Sequence, residues 1–275
     1  MRVLILGAGY VGEPLASELG ARGHKVLAAS RRTGVDIRDN ADLKQLGHGW
    51  DWIVNTVSSS KGGVEDYRRV FIEGTRNIID WLSGSATQKY LFTSSTSVYG
   101  QTDGSIVDET SPTQPQSETS KILVETEQLL RGVPAIILRA AGIYGADRGH
   151  LFQQYLRGQA TISGDGSRYL NMIHRDDVVR TIIAALERGK PGEIYNVTDD
   201  EPVTQLEFFQ WLASTLNRPM PPFGPEALSR KRGVTNKRVS NRKLRQELRC
   251  ELAYPNYRVG YGALVKQLGL TKSND

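Results

Sequence analysis

Cysteine is nearly missing from this chain of 275 residues: Cys250 stands alone. A single thiol excludes an internal disulfide framework and suits a reducing compartment, so a cytoplasmic protein is expected. The four histidines, His24, His48, His150 and His174, are scattered without metal-ligand spacing, and no metal site is expected. No apolar run approaches the length of a membrane span, and the apolar start is a short strand without a cleavable-signal layout. Internal repeats and low-complexity segments are lacking too. The length admits one large domain, or a core domain with a smaller lobe, and a full hydrophobic core.

Glycine is plentiful, and its placement is informative. The run Met1-Arg2-Val3-Leu4-Ile5-Leu6 leads into Gly7-Ala8-Gly9-Tyr10-Val11-Gly12, and apolar residues continue at helical spacing through Val11, Leu15 and Leu19. In such a strand–turn–helix, Gly7 permits the tight turn and Gly9 allows close backbone approach to a pyrophosphate. Gly12 lets the helix pack on the sheet, and the helix N-terminus offers N–H groups and a positive dipole end. A second strand, Lys25–Ala29, follows at the distance a dinucleotide-binding unit requires. A dinucleotide is expected here, with Tyr10 and Val11 at its phosphates.

The end of that second strand distinguishes the two nicotinamide dinucleotides. A site for NAD usually places an acid there for the ribose hydroxyl. This chain has Ser30-Arg31-Arg32 and no acid. A carboxylate would repel a 2′-phosphate, whereas a hydroxyl and guanidinium groups bind it by charge-assisted hydrogen bonds. NADP is expected over NAD.

The remaining chain alternates short apolar runs with amphipathic segments. The pattern predicts strands at 52–57, 90–93 and 135–139 and helices at 67–82 and 121–130, an arrangement of right-handed βαβ units around a parallel sheet. The net charge is +5, and the surplus lies late: residues 151–275 hold 19 Lys and Arg against 13 Asp and Glu. It concentrates in Ser229-Arg230-Lys231-Arg232 and from Lys237-Arg238 through Arg245. No nucleic-acid motif accompanies the run, so an anionic small substrate or a solvated face is expected rather than nucleic acid. Arg218 to Pro225, rich in proline, reads as a loop leading into this basic part.

Together these segments resemble the extended short-chain dehydrogenase/reductase family, the NAD(P)-dependent epimerases and dehydratases acting on sugar nucleotides. The resemblance is carried by the glycine motif, Gly34-Val35-Asp36-Ile37-Arg38-Asp39, Glu73-Gly74-Thr75-Arg76-Asn77 and Thr93 to Gly100. Leu138-Arg139 through Ile143-Tyr144-Gly145, Asn171 to Val178 and Ile194-Tyr195-Asn196-Val197 complete it. It implies an α/β fold, a Rossmann doubly wound parallel sheet with a small C-terminal substrate-binding lobe. Residues 1–150 with 172–200 would form the NADP-binding domain, and 151–171 with 201–275 the substrate lobe. It also implies that Asp36 and Ile37 contact the adenine. A homodimer is compatible with this reading.

The resemblance exposes a departure. The family carries Tyr-x-x-x-Lys at a helix start, preceded by a Ser or Thr at a strand end. Ser95 matches the latter, and Lys121 followed by Glu125 matches the lysine, which in the family holds the nicotinamide ribose. The tyrosine position is Ser117, and no lysine in the chain has a tyrosine four residues upstream. A phenol near pKa 10 can be drawn toward neutrality by an ammonium and an oxidised nicotinamide, but an aliphatic hydroxyl cannot. Losing such an acid/base costs roughly 10²–10⁴ in rate. The pattern is similar to the atypical branch of the family, which keeps the fold without the tyrosine. Leu170 occupies a position where nucleotide-diphosphate binders often have arginine, with Arg168 nearby, and Glu118 replaces a glycine beside the tyrosine position.

Ser95, Ser117 and Lys121 are thus the candidate catalytic set. His174 is expected to be structural, with Asp176 and Asp177 capping the next helix. Tyr99 and Tyr144 are candidates for a substitute acid, though core packing fits both. Two functions remain open: an NADP-dependent oxidoreductase or epimerase, and an NADP-sensing regulator without chemistry.

Overall fold

A computed structural model describes residues 1–59, 63–225 and 234–270. Six strands form one parallel sheet: β1 (Arg2–Leu6), β2 (Lys25–Ala29), β3 (Trp52–Asn55), β4 (Lys89–Ser95), β5 (Ala135–Ala140) and β6 (Ile194–Val197). Their spatial order is β6-β5-β4-β3-β1-β2. The chain runs from β1 outward to β2 and then crosses to the other side of β1 for β3. That reversal opens a crevice at the carboxyl ends of β1 and β3, where ligands bind in open α/β sheets. Register keeps the strand ends level, with Leu6 beside Asn55 and Ser95 beside Ala140.

Alternation along the strands divides the core in two. Val3, Ile5, Val54, Leu91 and Leu138 face the helices Gly12–Ala21 and Arg175–Arg188, meeting Leu15, Leu19, Val178 and Ile182. Leu4, Leu6, Ile53, Phe92 and Ile137 face the opposite way, toward Ile78, Trp81, Ile122 and Leu123. Both faces are covered, as the continuous apolar character of the strands requires. A third cluster gathers Phe152, Tyr155, Ile162, Phe208, Phe209, Tyr257 and Tyr261. It joins the helices Gln205–Leu216 and Tyr257–Gln267 to short two-residue strand pairs.

Several element ends differ from the sequence expectation, each for a local reason. The strand expected to reach Val57 stops at Asn55, whose Oδ1 accepts from Val57 N at 3.1 Å and turns the chain. The helix expected over 67–82 starts at Val64 and widens into a π-type turn at Arg69–Glu73 before continuing as Gly74–Leu82. The helix expected from Lys121 begins at Glu118 because Ser117 caps it. Within the proline-rich loop, Phe223–Gly224 pairs in parallel with Ile162–Ser163. The cap of Arg175–Arg188 is His174 itself, which accepts from Asp176 N at 3.2 Å, while Asp176 and Asp177 sit in the first turn. The basic run 229–232 lies outside the described residues. Among the described residues no helix is long and apolar enough to cross a membrane.

Candidate functional site

A cleft of about 440 Å³ opens at the crevice. Its floor is the glycine loop. Gly7 adopts φ +106°, and a Cβ there would sit 2.7 Å from Val57 N, so only glycine makes this turn against β3. A Cβ on Gly12 would drive into Gly7 O, which lets the helix start directly on the strand. Gly9 has nothing within 4 Å of its missing Cβ and lies on the cleft wall. Among the described residues, the N–H groups of Tyr10 and Val11 have no hydrogen-bond partner. Free N–H groups at a helix start are a ready cradle for phosphate oxygens.

One end of the cleft is walled by Ser30, Arg31, Arg32, Asp36, Ile37, Arg38, Tyr67, Val70 and Phe71. The π-type turn widens the helix where Val70 and Phe71 reach this wall, a common use of such turns at functional sites. Ile37 packs on Gly74, where a Cβ would meet its Cδ1 at 2.7 Å, and Asn77 Nδ2 donates to Ile37 O at 3.1 Å. Asp36 takes a bidentate grip from Arg38, with Nε to Oδ1 at 2.9 Å. That hydrogen bonding holds the Asp36 carboxyl below its ordinary pKa, against a burial effect in the other direction. Arg32 is committed: it pairs with Glu13 and donates to Ala8 O at 2.7 Å, tying β2 to the glycine loop. The Arg31 guanidinium has no hydrogen bond or ion pair among the described residues, though its charge helps lower the Asp36 pKa, and it is a cation this wall leaves available.

Thr93, Ser94, Ser95, Ala140, Ala141 and Ile143 wall the other end. Ser95 Oγ accepts from Ser97 N at 3.2 Å, capping the short turn Thr96–Val98. Ser94 donates to Glu127 Oε1 at 2.6 Å, and Glu127 holds Arg139 with Oε2 2.7 Å from Nη2. Ser117 and Lys121 do not reach the wall; Leu123 does. Ser117 Oγ accepts from Ser120 N, and Lys121 Nζ lies 2.7 Å from Glu118 Oε1 in an exposed pair.

Sequence reasoning named Tyr10 but missed Ser59 and Thr93 on this wall. The hydroxyls of all three are buried there without a protein partner among the described residues. Such orphaned donors are costly unless a ligand or water satisfies them. Arg148 also lines the cleft, its guanidinium 5.0 Å from the Tyr10 ring centre, with that of Arg175 at 5.3 Å. The signal was in reach for Thr93, which opens the hydroxyl run containing Ser95; nothing local marks Ser59. These groups fit a polar, phosphate-bearing ligand laid across the glycine loop.

The two candidate substitute acids are fully buried. Tyr99 donates to Asn196 Oδ1 at 2.8 Å and accepts from Arg139 Nη1 at 2.8 Å, and burial pushes its phenol up to about 12, with Arg139 opposing. Burial drives Tyr144 further upward, with no hydrogen bond to its hydroxyl among the described residues. Its ring stacks on Tyr261 at 4.2 Å. His174 is buried beside Tyr254, and burial lowers its pKa, with Asp176 opposing and Arg175 adding. None of the three faces the cleft.

Comparison with known proteins places this geometry. Residues 3–198 match the model of the NAD dependent epimerase/dehydratase family. Protein YeeZ of Escherichia coli K12 is 29% identical over 279 residues, covering 93% of this chain and 97% of that protein. A solved structure from Methylobacillus flagellatus, provisionally assigned as an NAD-dependent epimerase/dehydratase, is 29% identical. It superposes with a TM-score of 0.81 over 98% of each chain. DesIV of Streptomyces venezuelae, a dTDP-glucose 4,6-dehydratase with NAD bound, shares the fold at TM-score 0.83 and 22% identity, over 97% of this chain and 96% of its own.

Proposed function

The chain belongs to the NAD dependent epimerase/dehydratase family, and from that premise we propose that it binds NADP and acts as an atypical oxidoreductase or epimerase on an anionic, sugar-nucleotide-like substrate. The observation that carries the reading is the cleft itself: open Gly9, the Tyr10 and Val11 N–H groups, the orphaned hydroxyls and available Arg31 on one continuous wall. The N–H groups and Gly9 cradle the pyrophosphate, Asp36 and Ile37 meet the adenine, and Ser30 with Arg31 meet the 2′-phosphate. Arg32 supports that end through Glu13 rather than by direct contact. Bound there, the dinucleotide supplies a hydride acceptor or donor. The substrate class is supported by neighbours of the same fold, DesIV among them. In this reading residues 151–171 and 201–275 form the smaller substrate-binding lobe, and the protein works in the cytoplasm.

The reaction end is sparse. Ser95 stands on the wall and is assigned to the substrate hydroxyl or carbonyl. Lys121 is assigned to the nicotinamide ribose, which requires it to leave Glu118. An exposed ion pair is screened by water and contributes little, so that exchange costs little. Ser117 spends its hydroxyl on capping the helix and makes a poor acid/base. The same two placements favour a second reading, a cofactor-sensing protein without chemistry.

Turnover separates the two. With NADPH or NADP and a panel of sugar nucleotides, native turnover is expected to be slow, and Ser95→Ala to lower kcat more than KM. Ser117→Tyr puts a phenol one helical turn from Lys121 and is expected to raise hydride transfer at least tenfold without changing NADPH affinity. Fast native turnover abolished by Ser117→Tyr would show that another acid works in this space. No turnover in either protein, with intact cofactor binding, selects the sensor.

A further inference from the structure

Where the chain leaves β6 for its C-terminal segments, it buries an acid that the reading above gives no task. Asp199 is 1% exposed. Its Oδ1 accepts from Glu201 N at 3.4 Å, a long hydrogen bond, and its Oδ2 has no partner among the described residues. The charges that bear most on it, Asp200, Glu201 and Asp177, are all negative. Burying a carboxylate without a counter-charge is expensive.

The cations of this joint are matched to those other acids. Asp177, on the helix Arg175–Arg188, accepts from Ala253 N at 2.7 Å and Tyr254 N at 2.9 Å, with Arg180 at 3.9 Å. Asp200 accepts from Asn241 Nδ2 at 2.7 Å and stands 3.8 Å from Arg245. Glu201 pairs with Arg258 on the helix Tyr257–Gln267. Glu207, on the helix Gln205–Leu216, turns back onto Thr204. His174 meets Tyr144 edge-on at 5.3 Å and spends Nδ1 on Asp176 N.

The rest of the surroundings is aromatic and neutral. Tyr144 and Tyr257 have buried hydroxyls without partners among the described residues, and the Asp199 charge opposes ionisation of both phenols and of Tyr261. Tyr144 is pressed against the last helix, where a Cβ on Gly260 would lie 1.9 Å from its hydroxyl, so no ion fits between them. Burial accordingly drives the Asp199 carboxyl well above the carboxylate range, with the Glu201 N–H opposing and the three acids adding.

The position of this acid is mechanical. Asp199 N donates to Met172 O at 2.8 Å, and Asp200 N to Pro255 O at 2.9 Å. Asn241 Nδ2 donates to Thr198 O at 3.0 Å. Residues 198–200 thus tie the end of β6 to the strand Met172–His174 and to the segments that carry the last helix. A charge appearing here is relieved only by admitting water between those parts.

We propose that Asp199 is held as an uncharged acid and works as a proton-operated latch, whose ionisation loosens the C-terminal segments from the sheet. The latch does not depend on which cofactor or substrate the cleft takes. Its sign follows from linkage. The unfolded aspartate titrates at about 3.9, and the native one higher, so the native state holds one more proton between the two values. Stability from this group is complete below the unfolded value and falls as pH rises through the native one. The folding constant changes there by as much as about tenfold per pH unit.

Urea unfolding from pH 5 to pH 8 tests this, with Asp199→Asn as the uncharged isostere. Taking the ratio of the two proteins cancels the titration of His174 and the other acids. The unfolding constant of wild type relative to Asp199→Asn is expected to rise at least tenfold across that range. Asp200→Asn, next in sequence and exposed, is expected to keep the wild-type slope. Hydrogen exchange locates the effect. Corrected for intrinsic rates, exchange in the helix Tyr257–Gln267 is expected to speed up at least tenfold from pH 6 to pH 8 in wild type and to stay level in Asp199→Asn. Equal slopes in wild type and Asp199→Asn overturn the latch. So does an Asp199→Asn protein that fails to fold or is tenfold less stable at pH 6, because the carboxylate form would then be the one the fold needs. Exchange that quickens as much in β3 and β4 as in the last helix overturns it too.

Discussion

Gly9→Val is expected to reduce NADPH affinity at least a hundredfold, about 2.7 kcal/mol, while leaving the melting temperature within about 2 °C of wild type. The missing Cβ of Gly9 meets no atom within 4 Å, so the fold has room for a side chain. That room is where the pyrophosphate approaches the backbone, and the isopropyl group would occupy it. Gly12→Ala makes the contrast. Its Cβ runs into Gly7 O, a backbone atom of the strand end that cannot yield as a flexible side chain would. The helix Gly12–Ala21 must then move, taking buried Leu15 and Leu19 with it. Overpacking of this kind costs typically 1–3 kcal/mol, so Gly12→Ala should lower both stability and binding. Thermal melts and cofactor titrations on the two variants decide it. Normal NADPH binding by Gly9→Val would remove the glycine loop from the site.

Glu127→Ala is expected to destabilise the protein by about 3–5 kcal/mol, the usual consequence of stripping one partner from a buried ion pair. Glu127 and Arg139 are nearly inaccessible, their side chains 7% and 5% exposed. Arg139 would keep Tyr99 but lose its carboxylate, and Ser94, on the cleft wall, would lose its acceptor. In a protein of this size the melting temperature should fall by roughly 10 °C, with weakened cofactor binding as a secondary effect through Ser94. Replacing both residues by methionine should recover much of the loss, because a buried pair contributes less than the penalty of breaking it. A fall below about 1 kcal/mol in Glu127→Ala would mean that water reaches Arg139 and that the network is not closed.

The sheet was legible because its signal is local. Apolar runs such as Ala135–Leu138 and the turn glycines are contiguous in sequence, and both faces of a parallel sheet demand apolar residues. The missing tyrosine was legible as well, because Tyr-x-x-x-Lys is a fixed spacing on one helix. What Ser117 does instead was not: capping depends on where the helix starts, and boundaries are set by competition among nearby side chains. Arg31 and Arg32 look equivalent in sequence, yet Glu13, nineteen residues earlier than Arg32, occupies one of them. Lys237 reads as one charge in a basic run, yet the fold buries it, with its carbonyl held by Asn171 sixty-six residues earlier. Ser59 reaches the wall through the fold of a loop whose length carries no periodic signal.

The most direct test of the whole account is a paired titration of NADPH and NADH into the wild-type protein and Arg31→Ala. NADPH is expected to bind at least tenfold tighter than NADH, about 1.4 kcal/mol, and added salt to narrow the gap because part of it is Coulombic. Arg31→Ala should lose affinity for NADPH and keep that for NADH nearly unchanged. Equal affinity for the two cofactors in the wild type, or equal losses in the variant, would contradict the assignment of Ser30 and Arg31 to a 2′-phosphate.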